Sequence, residues 1–485
     1  MYDFENLATG KICFKGVNFT FVFDHEELRL IPPDDKKSEV EKWFMKEFAP
    51  GAYTMGDPVY VEDEYLIGNC NEGIEIVLFP NSHTVGRING VLRIGIGAYI
   101  WKRIRSSVIN RISFESPEMD CIFPSMQAIS SKKYSEDGHF AVATIPLKDT
   151  LTEKQTFYVD EKEVTVQFGI IRKERADLSS PPFSLHSVMY FDFDDTDNYA
   201  FVFRLYNIAK VFIQYLNYRK SVPLTDINLS APFKESQHLQ FAKLFILDNL
   251  PETEQQCLKD RRYIKYEYIK GNEHKILSDI ATGVLYTRNI PNTYAQGKTI
   301  DAARFVMITA AFEWEFRRLF PDGIKKKERT IKAENLVSEA LKESQSKATG
   351  KAKEIYKHLI DGIHFTQLSS KIIHTGKELG TVVDIFGNRL YHLNGQELKY
   401  SDMGLRIGKQ RNNYAHGNLD QEFVGLSLLD LIYLEMIVYA MQLKFYGVSD
   451  VNIQKAINSL FRQNIVIKGD EERQNEAFQE GKYND

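Results

Sequence analysis

An arginine and a histidine, Arg411 and His416, stand five residues apart in the run Ser401 to Asn418, SDMGLRIGKQRNNYAHGN. An imidazole populates both protonation states near neutral pH, so it can take a proton from a hydroxyl and return one. A guanidinium stays charged and presents a planar fork to two phosphate oxygens. Together they suit metal-independent cleavage of RNA, which needs a base for the 2′-hydroxyl and a counter-charge for the phosphate. Asn412 would orient the substrate or the histidine. The expected products are a 2′,3′-cyclic phosphate and a 5′-hydroxyl, and DNA, lacking the 2′-hydroxyl, is spared.

The periodicity around these residues predicts a helix. Met403, Ile407, Arg411 and Tyr414 fall at about 0°, 40°, 80° and 20° around its axis, so the guanidinium lies on the margin of an apolar stripe. A charge there needs an anionic ligand or a carboxylate partner, for which Glu313 and Glu435 are the candidates. Tyr414 could stack on a base, but its place on the stripe favours core packing. His416 falls about 140° from Arg411 and precedes Gly417-Asn418, a helix end followed by a fresh start capped near Asp420. The two side chains therefore do not share a face of one helix, which argues for a composite site built from two chains.

Arg411-Asn412-Asn413-Tyr414-Ala415-His416 resembles the arginine–histidine signature of HEPN ribonucleases, including the polar residue after the arginine. The wider layout also resembles the ApeA family of single-protein phage-defence factors: a β-rich N-terminal region, the helix from Arg204-Leu205-Tyr206-Asn207-Ile208-Ala209 onward, and a late helical domain. The resemblance implies a helical-bundle ribonuclease joined to a domain that senses a phage-derived trigger, acting by abortive shutdown of the host cell. It implies RNA as the substrate, no cofactor, a homodimer or higher homo-oligomer through the HEPN domain, and Glu313 as an acidic helper. The alternative for Glu313 is an ion pair with Arg317, four residues on. Transfer RNA fits as the target, and messenger or ribosomal RNA fits equally well. The rival class is a non-catalytic HEPN module that dimerises or binds a nucleotide.

The elements that must hold these residues follow from patterning. The 485 residues, 43% hydrophobic and 26% charged, describe an α+β multidomain protein of ordinary globular composition. Period-two alternation at Val17 to Phe23, Ile74 to Leu78, Leu92 to Ile100 and Val164 to Ile170 predicts antiparallel strands through a β-rich region, 1–195. The acidic turn Asp192 to Asp197 precedes a helix from about 198 to 219, with Asp197 as its cap. A mixed connecting region, 196–297, leads to a HEPN helical bundle, 298–467. That bundle opens with a stripe of Ala302, Phe305, Thr309, Phe312, Phe316 and Leu319, stopped by Pro321-Asp322-Gly323. It contains a turn-rich insert from Gly380 to Gly395 and a buried core helix from Leu426 to Leu443, too short and too charged to span a bilayer. The tail 468–485, with six acids, three bases and few apolar residues, is expected to be disordered.

Charge and cysteine usage narrow the partners. A net charge of −5 offers no bulk basic surface. Residues 323–357, however, hold ten Lys or Arg against five Asp or Glu. Lys325, Lys326, Lys327 and Arg329, with Lys351 and Lys353 further along, could guide an RNA backbone, as could Lys409. Their plainer role is a solvated helix face. Four dispersed cysteines form neither a zinc motif nor a disulfide scaffold, and the N-terminus carries no apolar signal, so a cytoplasmic protein away from membranes is expected. Ala295-Gln296-Gly297-Lys298-Thr299 ends like a phosphate loop but has Asn292 where the first glycine belongs. Asp192, Asp194, Asp195 and Asp197 read as a solvated turn rather than a cation site. His358, His364 and His374 lack the spacing of a metal pair.

Overall fold

The computed structural model describes residues 7–467, except positions 72 and 424 and segments 104–107, 137–138, 146–149, 175–182, 235–236, 248–254, 364–365 and 419–422. His364, Asp420 and the tail 468–485 lie outside the described residues. The chain divides into two compact units. One comprises Met1–Leu258 with Glu273–Val284, the other Lys259–Asn272 with Leu285–Asp485. The connecting region expected at 196–297 is shared between them.

The first unit is β-rich, and its strands are antiparallel. Val91–Lys102, twelve residues long, pairs with Glu27–Ile31 on one side and with Glu75–Pro80 on the other. Through Val17–Phe23, Ala8–Phe14 and Leu66–Cys70 those two strands are joined, so the sheet closes into a barrel. Closure leaves no free edge and directs one face of every strand inward. Phe19, Phe21, Phe23, Leu28, Leu30 and Ile94 fill that interior with no exposed surface. The far end of Val91–Lys102 also pairs with Gln237–Ile246, and the sheet continues through Asp226–Phe233, Ile109–Glu115, Phe183–Thr196, Lys162–Glu174 and Gln155–Val159. Two strands from the mixed middle segment thus complete the sheet.

The first long helix, α1 (Tyr199–Asn217), packs in this unit, with the Phe212 ring 6.5 Å from that of Phe168. Its cap is Asn198, whose side chain accepts from the Phe201 amide at 3.1 Å, one residue beyond the expected Asp197. The acidic turn is partly neutralised, because Asp192 receives Arg111 at 2.5 and 2.9 Å and Lys154 at 3.1 Å.

The second unit is helical. Its longer helices are α2 (Ala302–Leu319), α3 (Glu328–Lys347), α4 (Lys351–Ile363), α5 (Leu368–Leu393), α6 (Tyr400–Ala415), α7 (Ser427–Phe445) and α8 (Asp450–Leu460). Helix α7 packs against α2, α5, α6 and α8 and is apolar nearly all round, as a helix enclosed by others must be. Among the described residues no helix is long and apolar enough to cross a membrane.

The turn-rich insert expected from Gly380 to Gly395 is instead the second half of α5, which runs unbroken for 26 residues. Its glycines serve helix contact. A Cβ on Gly387 would sit 2.5 Å from the Tyr433 ring of α7. Likewise, a Cβ on Gly404 of α6 would lie 2.8 Å from the Ser369 backbone of α5. Backbones that approach this closely exclude a side chain, which outweighs the cost of glycine inside a helix, about 1 kcal/mol. Gly404→Val is expected to lower stability by about 1–3 kcal/mol in urea unfolding through overpacking. A loss below about 0.5 kcal/mol would show that the α5–α6 contact is not close.

Candidate functional site

Helix α6 carries the arginine, and the pattern predicted for it is present. Met403 and Ile407 are fully buried, Tyr414 is nearly so, and Arg411 stands at the edge of the stripe with 40% of its side chain exposed. Tyr414 is a core residue: its ring meets Phe305 at 5.6 Å and Phe423 at 5.8 Å, both edge-on. That geometry leaves no face for a base.

The arginine's carboxylate partner is Glu313 of α2. Arg411 Nη2 donates to Glu313 Oε2 at 3.4 Å, and Nη1 donates to Asn412 Oδ1, also at 3.4 Å. Glu313 Oε1 accepts Lys371 Nζ of α5 at 2.9 Å. One carboxylate thus joins three helices through two cations. The expected alternatives are both taken elsewhere. Glu435 pairs with Arg304 at 2.8 Å, and the Arg317 guanidinium lies over the Trp314 ring at 5.4 Å. Arg304 also donates to the carbonyls of Gln296, Gly297 and Thr299. The phosphate-loop look-alike therefore turns carbonyl oxygens toward a cation, the reverse of an anion cradle.

His416 is the C-cap of α6. Gly417 follows with φ +84°, its amide bonded to the Tyr414 carbonyl at 3.1 Å, and the Asn418 amide bonds to the Asn413 carbonyl at 3.1 Å. These two bonds form a Schellman motif, which stops the helix and presents the exposed imidazole at its end. Among the described residues no hydrogen bond or ion pair links the His416 side chain to Arg411 or to any other group. A single chain brings Arg411, Asn412 and Glu313 together and leaves His416 beside them at the helix terminus.

Lys409 is exposed on α6, and Lys325, Lys327 and Arg329 are exposed around the start of α3. Lys326 differs, since Glu334 holds it at 2.7 and 2.8 Å. Among the described residues no group of three or more His, Cys, Asp or Glu gathers as a metal site.

Sequence reasoning did not single out the interaction that holds α6 in place. Asp430 of α7, fully buried, accepts Arg406 Nε at 2.6 Å and Nη2 at 2.8 Å, and also accepts the Tyr391 hydroxyl of α5. Next to it the Tyr400 hydroxyl donates to Asp384 at 2.5 Å and lies 2.8 Å from the Tyr433 hydroxyl. Burial first, then donation to Asp430, pushes the Tyr391 phenol far above its ordinary range, and burial with Asp384 does the same for Tyr400. Both therefore remain donors at physiological pH. The hydrogen bond to Asp430 raises Arg406 further. The available signal was the pair of acids interrupting the apolar run of α7: Asp430 and Glu435 are each buried against an arginine.

No family model, curated protein or solved structure matches this chain. The arrangement itself places a half-exposed guanidinium, supported by a carboxylate and an amide, on the helix that ends in an exposed imidazole about 140° further round.

The two acid-centred clusters should differ in strength. Glu313→Ala is expected to cost under about 1 kcal/mol, because its partners are partly exposed. Asp430→Ala is expected to cost about 3 kcal/mol or more, because it removes a fully buried acceptor and leaves the buried Tyr391 phenol unsatisfied and the partly exposed Arg406 unpaired. Urea unfolding of the two variants checks this, and equal losses would contradict it.

Proposed function

We propose that the helical unit is a HEPN-type ribonuclease of an ApeA-like phage-defence protein. In this reading it cleaves RNA in the cytoplasm without a metal and is regulated by the β-rich unit. The observation that carries the proposal is the state of Arg411: charged, at the margin of a buried stripe, held by two contacts at the long limit of hydrogen bonding, and otherwise open to solvent. An arginine serving only the fold would be bound as Arg406 is.

In the mechanism, His416 accepts the proton of a ribose 2′-hydroxyl while that oxygen attacks the adjacent phosphorus. The P–O5′ bond breaks, the 5′ oxygen leaves as an alcohol by taking a proton from solvent water, and His416 returns the proton it accepted to solvent, so the proton count closes. Arg411 binds the non-bridging oxygens as charge builds on them. Glu313 and Asn412 position the guanidinium, and a phosphate that displaces either contact still leaves Lys371 to neutralise Glu313. Because His416 lies off the Arg411 face, a second copy of the chain supplies the facing group, so each cleft combines one arginine with the partner subunit's histidine.

The rival reading, a non-catalytic scaffold, requires neither the exposed imidazole nor the open guanidinium. Purified protein incubated with total cellular RNA separates the two. Arg411→Ala and His416→Ala are each expected to slow cleavage by about 10²–10⁴. Wild-type cleavage is expected to persist in EDTA and to leave 2′,3′-cyclic phosphate and 5′-hydroxyl ends. Undiminished cleavage by both variants would overturn the proposal.

A further inference from the structure

A second recessed surface lies along α5, between that helix and the chain leaving α2. Helix α2 ends at Leu319, Phe320 is its C-cap, and the chain reverses at Pro321-Asp322-Gly323, where Gly323 has φ +65° and its amide bonds to the Phe320 carbonyl at 2.9 Å. The reversal leaves a cleft of about 700 Å³ lined by Phe320, Asp322, Lys325, His374, Lys377 and Glu378 among others.

Its chemistry is mixed in a specific way. The His374 ring meets Phe320 edge-on at 4.8 Å and Phe316 edge-on at 5.9 Å, making an aromatic wall that is only partly buried. Two ammonium groups, Lys325 and Lys377, and two carboxylates, Asp322 and Glu378, stand around it. Among the described residues none of these four forms an ion pair, unlike neighbouring Lys326. All four are exposed to solvent, so an aliphatic ligand would gain nothing from them, and a simple anion would meet two carboxylates. A nucleotide answers both signs: a base against the ring wall, its amino edge donating to one carboxylate, and its two flanking phosphates on the two lysines.

The cleft lies near the site described above, with the buried Phe316 ring between them. Lys371, which shares Glu313 with Arg411, lies 6.0 Å from the Phe316 ring, and His374 touches the same ring one turn further along α5. Three residues of helix advance only about 4.5 Å. We infer that this cleft is a subsite for a single-stranded RNA nucleotide next to the scissile phosphate. The inference rests on the ribonuclease reading for its choice of RNA, and it adds where the strand runs and which groups hold an unstacked base.

Fluorescence anisotropy of the full-length protein with a short, labelled 2′-O-methyl RNA, which cannot be cleaved, tests it. Lys325→Ala with Lys377→Ala is expected to weaken binding and to lower the slope of log Kd against log salt by about 1.4, at about 0.7 per single-strand phosphate contact. His374→Ala is expected to weaken binding about tenfold through lost stacking, with the salt slope unchanged. Thermal melting confirms folding, and His374→Phe, which keeps an aromatic ring, is expected to recover most of the affinity. Unchanged affinity and slope in both Ala variants, in a protein that does cleave RNA, would overturn the subsite and leave the ribonuclease standing. Cleft-dependent binding without any wild-type cleavage would retain the subsite and overturn the ribonuclease.

Discussion

One buried carboxylate sets the register of the helical unit. Asp430 sits on a helix that is apolar nearly all round apart from Glu435 and Gln442, which pair with α2, and such a helix could rotate or slide among its neighbours at little hydrophobic cost. A charge that must be met inside the bundle removes that freedom. Asp430 takes the fork of Arg406 from α6 and the hydroxyl of Tyr391 from α5, so three helices are fixed in rotation about one point. Arg406 lies five residues before Arg411. What holds one therefore decides where the other projects.

The two arginines of α6 are held very differently. Arg406 is bound at 2.6 and 2.8 Å to an acid with no exposed surface. Arg411 is bound at 3.4 Å to an acid that a lysine already shares. The first geometry is saturated, and removing it is costly. The second is loose enough for a phosphate to replace, since the incoming oxygens offer a guanidinium more than the contacts they displace. Glu313 is held by Lys371 as well, so it keeps a counter-ion whether or not Arg411 stays bound to it.

Much of this was legible in the sequence where periodicity alone decides. The stripe of Met403, Ile407 and Tyr414, with Arg411 on its margin, followed from angular spacing, as did the α2 core of Phe305, Phe312 and Phe316. Glycine was read poorly. The run Gly380 to Gly395 suggested turns, because a glycine that frees the backbone and one, such as Gly387, that admits a neighbouring helix look the same in one dimension. Pairings across long separations were equally hidden. Nothing local links Asp430 to Tyr391 or Glu313 to Lys371, and the choice between Glu313 and Glu435 as partner for Arg411 depended on which acid Arg304 had already claimed. The closure of the barrel had the same cause, since Val91–Lys102 reads as one long strand and gives no sign that it serves four partners.

The account requires that an arginine and a histidine from different copies meet at one phosphodiester, and mixing two inactive proteins tests that most directly. Arg411→Ala and His416→Ala proteins, combined in equal amounts and allowed to exchange subunits, would form mixed dimers that retain one intact arginine–histidine cleft. RNA cleavage is predicted to return to about a quarter of the wild-type rate on statistical pairing, while each variant alone stays inactive. A mixture as inactive as its components, with exchange verified, would contradict the shared cleft, and full cleavage by either variant alone would contradict the catalytic pair itself.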